Sequence, residues 1–135
     1  MNPDLALARA HIRKSEHNLR AALYLERGGF SDWGISAVFY TMYHSFLAII
    51  AKFGYASRNQ ECTIALVKHL VEQKAINLDL KFVHALSTDE NSLVETRESC
   101  QYGVKGSFGD NGKFKSMIND SKELLEAAKK EVYHN

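Results

Sequence analysis

A chain of 135 residues, 45% of them hydrophobic and one of them proline, has the size and make-up of one globular domain. A core of that size can be buried without help from metal or disulfide. The formal net charge of +1 excludes binding driven by bulk charge, so affinity for nucleic acid would need a local patch. The first predicted element is a long helix. Asn2-Pro3 reads as its N-cap and first residue, Leu5, Ala8, Ile12, Leu19, Ala22 and Leu23 form its inner face, and Gly28-Gly29 ends it. Arg9, Arg13, Arg20 and Arg27 fall in a narrow arc beside that face, with Glu16 at its edge. They either flank an apolar seam, stems packed and heads solvated, or face phosphate.

Asp32 to Phe53 is the second helix and the most apolar stretch. Trp33, Ile35, Val38, Phe39, Met42, Phe46, Ile49, Ile50 and Phe53 recur at helical spacing, and Tyr40, Tyr43, Leu47, Ala48 and Ala51 make a second apolar face. A helix apolar nearly all round is a central one. Ser31 and Asp32 supply its expected N-cap and Gly54 its stop. Tyr, Thr, His and Ser interrupt it too often for a membrane span, although its length would suffice. The short Gly28-Gly29-Phe30 connection predicts antiparallel packing of the first two helices.

A third helix is expected from about Gln60 to Glu72, with Ile64, Val67, Leu70 and Val71 inward. Ile76 to Leu80 alternates like a strand but has no second strand to pair with. It reads as an irregular lead into a short helix around Phe82 to Leu86. Ser87 and Glu90 have capping-box spacing and open a further helix whose inner stripe is Leu93, Arg97, Cys100 and Val104. An arginine in such a stripe must be paired. It is either structural or it lines a polar site. Gly103 to Gly112 reads as a connector, matching neither the P-loop nor the dinucleotide fingerprint. The last helix, about Lys113 to Tyr133, turns Phe114, Met117, Ile118, Ser121, Leu124, Leu125, Ala128 and Val132 inward and its lysines outward. The fold class is all-α: one domain over residues 1–135, an up-and-down bundle of four main helices plus a short one.

No zinc-protease, nucleophile-elbow or EF-hand motif is present. Cys62 and Cys100 form no cluster with zinc-ligand spacing. Met1 is followed by polar Asn2, Pro3 and Asp4 rather than an apolar leader. The expectations are reduced thiols, a cytoplasmic protein, no membrane, no metal and no cofactor. Among six histidines, His11 and His17 fall on the solvated sides of the first helix and His134 is terminal. His69 reads as surface or satisfied core. His44 is the candidate for chemistry. It shares a face with Tyr40 one turn earlier, and in so apolar a helix it would titrate near neutrality or be held neutral by a hydrogen bond.

Ser36 to Ile50, SAVFYTMYHSFLAII, resembles the aromatic helix of a small prokaryotic branch of the HEPN family, of the type SRAYYAMFHAARALL. Arg97 to Tyr102, RESCQY, is similar to that branch's RxxADY pattern, with Cys100 and Gln101 where Ala and Asp stand. The resemblance covers nearly the whole chain. It implies a helical bundle that forms a homodimer. Many members are metal-independent endoribonucleases, often toxins paired with a nucleotidyltransferase-like antitoxin, and non-catalytic members bind RNA or dock partners. Their catalytic signature is an Arg, a polar residue, and a His four to six residues after the Arg. No His follows Arg97 at that distance here, and Ala37 stands where an Arg precedes the aromatic pair.

The resulting expectation is a dimerising module, non-catalytic or weakly catalytic. It would bind RNA, a nucleotide or a nucleotidyltransferase-type partner, with toxin–antitoxin or defence as a context. The residues implied are Arg97 and His44 for chemistry and Tyr40, Tyr43, Gln101 and Tyr102 for binding. The alternatives are a ribonuclease using Arg97 with His44, and a structural or assembly subunit without ligand.

Overall fold

The computed structural model describes residues 2–87 and 111–134. The described residues form five helices: α1 (Leu5–Arg27), α2 (Ser31–Lys52), α3 (Gln60–Glu72), α4 (Lys81–Leu86) and α5 (Asn111–Tyr133). There is no strand among them. The helix expected to follow Ser87 lies outside the described residues, and so does most of the glycine-rich connector. Its last residue, Gly112, belongs instead to the first turn of α5.

The helix ends follow from local chemistry. Asp4, not Asn2, caps α1, its carboxylate accepting from the Leu7 N–H at 3.0 Å. The Asp4 N–H donates to the Ala51 carbonyl at 2.9 Å, which ties the start of α1 to the end of α2. Ser31 is the first helical residue of α2 rather than its cap. Phe30 holds the cap position with no side-chain bond, and Asp32 faces the positive end of the helix dipole.

Helices α1 and α2 end in the same motif. Phe30 N–H reaches Leu25 O at 2.8 Å and Tyr55 N–H reaches Ile50 O at 2.9 Å, with Gly29 (φ 81°) and Gly54 (φ 83°) in the left-handed region between. Helix α3 closes in this way too, but with Lys74 at φ 57°. A side chain in that region costs about 1–2 kcal/mol.

Helix α2 is the spine. It packs most extensively on α1, then on α5, and more lightly on α3 and α4. By length and composition it could cross a membrane, but 72% of its most apolar window is buried inside the bundle. Val38, Phe39, Met42, Phe46, Ile49 and Ile50 are all buried. Trp33, expected in this row, is 56% exposed. The inner face of α5 is as expected: Phe114, Ile118, Ser121, Leu124, Leu125, Ala128 and Val132 are buried and Met117 is half-buried. Its lysines point outward, and Lys129 reaches Glu16 of α1 at 3.0 Å.

Candidate functional site

The site is set by a polar seam between α1 and α2. Ser15 interrupts the apolar face of α1 and is fully buried, as are Thr41 and Ser45 opposite it. The Ser15 hydroxyl donates to the Thr41 carbonyl at 2.6 Å. The Ser45 hydroxyl donates to the same carbonyl at 2.8 Å. The Thr41 hydroxyl donates back to the Ala37 carbonyl at 2.8 Å. Every hydroxyl in the seam has a partner, which removes the desolvation penalty of burying it. Side chains this small let the two helices approach closely and fix their antiparallel register.

One turn along α1 from Ser15, and next to Ser45 on α2, that register brings two histidines together. His11 Nδ1 and His44 Nδ1 lie 3.0 Å apart, with ring centroids 5.2 Å apart. The placement of His11 corrects the sequence reading. It is half-buried against α2, whereas His17 is solvated. Burial pushes both imidazoles toward the neutral form. His44 is lowered to about 4 by desolvation first, then by the adjacent His11 and by Lys14. His11 is lowered by its own burial.

A hydrogen bond between two like nitrogens needs one proton between them. One neutral ring is therefore the Nδ1–H tautomer, and the other accepts at Nδ1 and carries its proton on Nε2. Exchanging these roles needs two proton movements: the shared proton crosses the bond, and solvent takes the Nε2 proton from one ring and supplies one to Nε2 of the other.

The aromatic row continues from the pair. Tyr43 is half-buried, its ring stacked on Phe39 at 5.9 Å and 6.2 Å from His44. Its hydroxyl meets the Thr63 hydroxyl of α3 at 3.2 Å. Tyr40 is 41% exposed, edge-on to Phe39 at 5.1 Å. The structure thus brings Tyr43 and His44 together and sets Tyr40 nearer the surface. Arg97, Gln101 and Tyr102 lie outside the described residues. Among the described residues, no group of three or more His, Cys, Asp or Glu side chains could hold a metal ion.

His11 is the residue that sequence reasoning missed. Its signal was in the register. Ser15 lies in the inner stripe of α1, and a buried serine needs a polar partner. Ser45 is the small hydroxyl on the facing helix. Pairing the two in antiparallel order puts His11 beside His44.

The HEPN-domain family model matches residues 8–132, from the first buried residue of α1 to the last of α5. The chain belongs to the HEPN family. No curated protein matches it. Membership marks a helical module of ribonuclease-like or nucleotide-related type. The matched span includes α1 and α2 with their histidine pair. It also takes in Arg97, where the HEPN histidine after the arginine is absent from the sequence.

Proposed function

We propose that this chain is a dimerising HEPN module that binds RNA, a nucleotide or a nucleotidyltransferase-type partner and turns RNA over weakly or not at all. The observation that carries this reading is the state of His44. It is the one histidine in the aromatic signature, and it is hydrogen-bonded to His11 and held neutral. With a pKa near 4, roughly one molecule in a thousand carries the acidic proton at pH 7. A group so seldom protonated is a poor general acid, and its low basicity makes it a weak base. The sequence has no other histidine within six residues after Arg97 to take over. Arg97 and the aromatic residues remain suited to holding phosphate and base without cleavage.

The test is fluorescence anisotropy with labelled single-stranded RNA in EDTA at pH 7, followed by electrophoresis of the same samples. Saturable binding that weakens with salt, with the RNA intact, is the expected result. Cleavage lost in both Arg97→Ala and His44→Ala would instead establish the ribonuclease reading. If the protein bound no RNA and pulled down no nucleotidyltransferase-type partner, the structural-subunit reading would stand.

A further inference from the structure

A pocket of about 340 Å³ opens on the far side of His11, between α1, α2 and the 55–59 segment that leads into α3. Leu47 and Ile50 are among its apolar walls, and Tyr43 and Tyr55 contribute rings. His11 and Arg58 stand among its polar groups, and no carboxylate lines it. The volume is within the range of small-ligand sites.

Three other polar side chains at its edge are engaged elsewhere, and Tyr55 adds a hydroxyl. The Ser57 hydroxyl donates to the Asn59 carbonyl at 2.7 Å. The Asn59 side chain caps α3, accepting from the Cys62 N–H at 2.8 Å. Tyr43 gives its hydroxyl to Thr63 and so offers the pocket its ring. Two nitrogen-bearing groups remain. His11 spends Nδ1 on His44, which leaves Nε2 as its other ring nitrogen. Arg58 is exposed and has no ion pair among the described residues.

From these observations we infer that the pocket takes one nucleotide, its base among the apolar walls and tyrosine rings near His11 and its phosphate on Arg58. Each half of that ligand answers a separate feature. An apolar, aromatic cleft favours a planar ring, because stacking on aromatic faces contributes about 1–3 kcal/mol per base. A lone guanidinium without a carboxylate selects an anion, and its planar fork matches phosphate. A cationic ligand would meet Arg58 with nothing to balance its charge. The inference rests on the nucleotide-or-RNA reading above and gives it a location away from Arg97. The nucleotide is either free or one unit of an RNA strand.

The experiment measures binding of 5′-AMP, adenosine and a labelled single-stranded RNA to wild type and to Arg58→Ala. It is read by calorimetry and by the NMR signals of His11. Arg58 is exposed, so its truncation leaves the core intact. Wild type is expected to bind 5′-AMP with a shift of the His11 ring signals. In Arg58→Ala, affinity for 5′-AMP falls at least tenfold while affinity for adenosine stays the same. If 5′-AMP does not bind but RNA affinity falls tenfold in the variant, the pocket holds a unit of a strand. If RNA or 5′-AMP binds wild type and variant equally, the pocket assignment is overturned and the wider reading survives. If neither ligand binds wild type, both fail.

Discussion

Phe46→Ala is expected to lower the stability of the protein by about 3–5 kcal/mol. Phe46 is fully buried on α2, the helix that both α1 and α5 pack against. Its ring cannot be replaced by water in so apolar a setting, so the variant carries a cavity as well as the lost transfer energy. Alanine is the better helix former, but by less than about 1 kcal/mol, and this does not offset the loss. A domain of this size has about 5–15 kcal/mol in total, so about a fifth or more of its stability is at stake. Urea unfolding should show a lower midpoint with an unchanged slope. A loss under about 1 kcal/mol would mean that α2 is not the packed centre of the bundle.

A second large effect is expected where α2 meets α5. Gly34 is buried in the first turn of α2, and a Cβ placed on it would stand 2.5 Å from Phe114 Cζ and 3.1 Å from Cε1. The residue is glycine because the ring of Phe114 occupies that space. Gly34→Leu would gain about 0.8–1 kcal/mol of helix propensity. It also forces four carbons into a place that cannot hold one, and overpacking of that kind costs about 1–3 kcal/mol or more.

The ring itself is buried, so it cannot swing into solvent. A net destabilisation of up to about 2 kcal/mol is expected for Gly34→Leu, and about 3–5 kcal/mol for Phe114→Ala. Because each change makes or needs the other's space, the double variant should cost about 1–3 kcal/mol less than the sum. Unfolding of the four proteins in urea gives the cycle directly. Additivity within about 0.5 kcal/mol would show that the two positions do not share that space.

Much of this fold was legible because hydrophobic periodicity reports burial. The α2 sequence is apolar on two faces, and α2 is buried on several sides. The α5 stripe repeats at helical spacing, and its members line the core. Turn chemistry was legible where glycine signalled it, at Gly29 and Gly54. It was less so at the helix starts. Asn2-Pro3 looked like a cap, yet Asp4 is the residue whose carboxylate reaches the third N–H beyond it. Trp33 matched the period of α2 but sits near its start, where the flanking helices leave it exposed.

The site was half legible. His44 and Tyr43 stood out as polar groups in an apolar helix. His11 did not, because periodicity on α1 alone places it on a solvated side. Its partner is fixed by a contact 33 residues away in sequence, through the register of two helices. That information lies in the serines, not in the histidine.

The proposed binding without turnover depends on a neutral, mutually bonded histidine pair, and NMR titration of the imidazole signals tests that pair most directly. At pH 7 one ring should be the Nδ1–H tautomer and the other the Nε2–H tautomer. His11 should titrate below the ordinary value of 6.5, and His44 at about 4. Over that range the unfolded chain binds protons that the folded one refuses. Stability is therefore full above pH 6.5 and declines as the pH falls toward 4. Two separate Nε2–H rings, both titrating near 6.5 with stability flat across the window, would contradict the pairing and return His44 to the list of general acids.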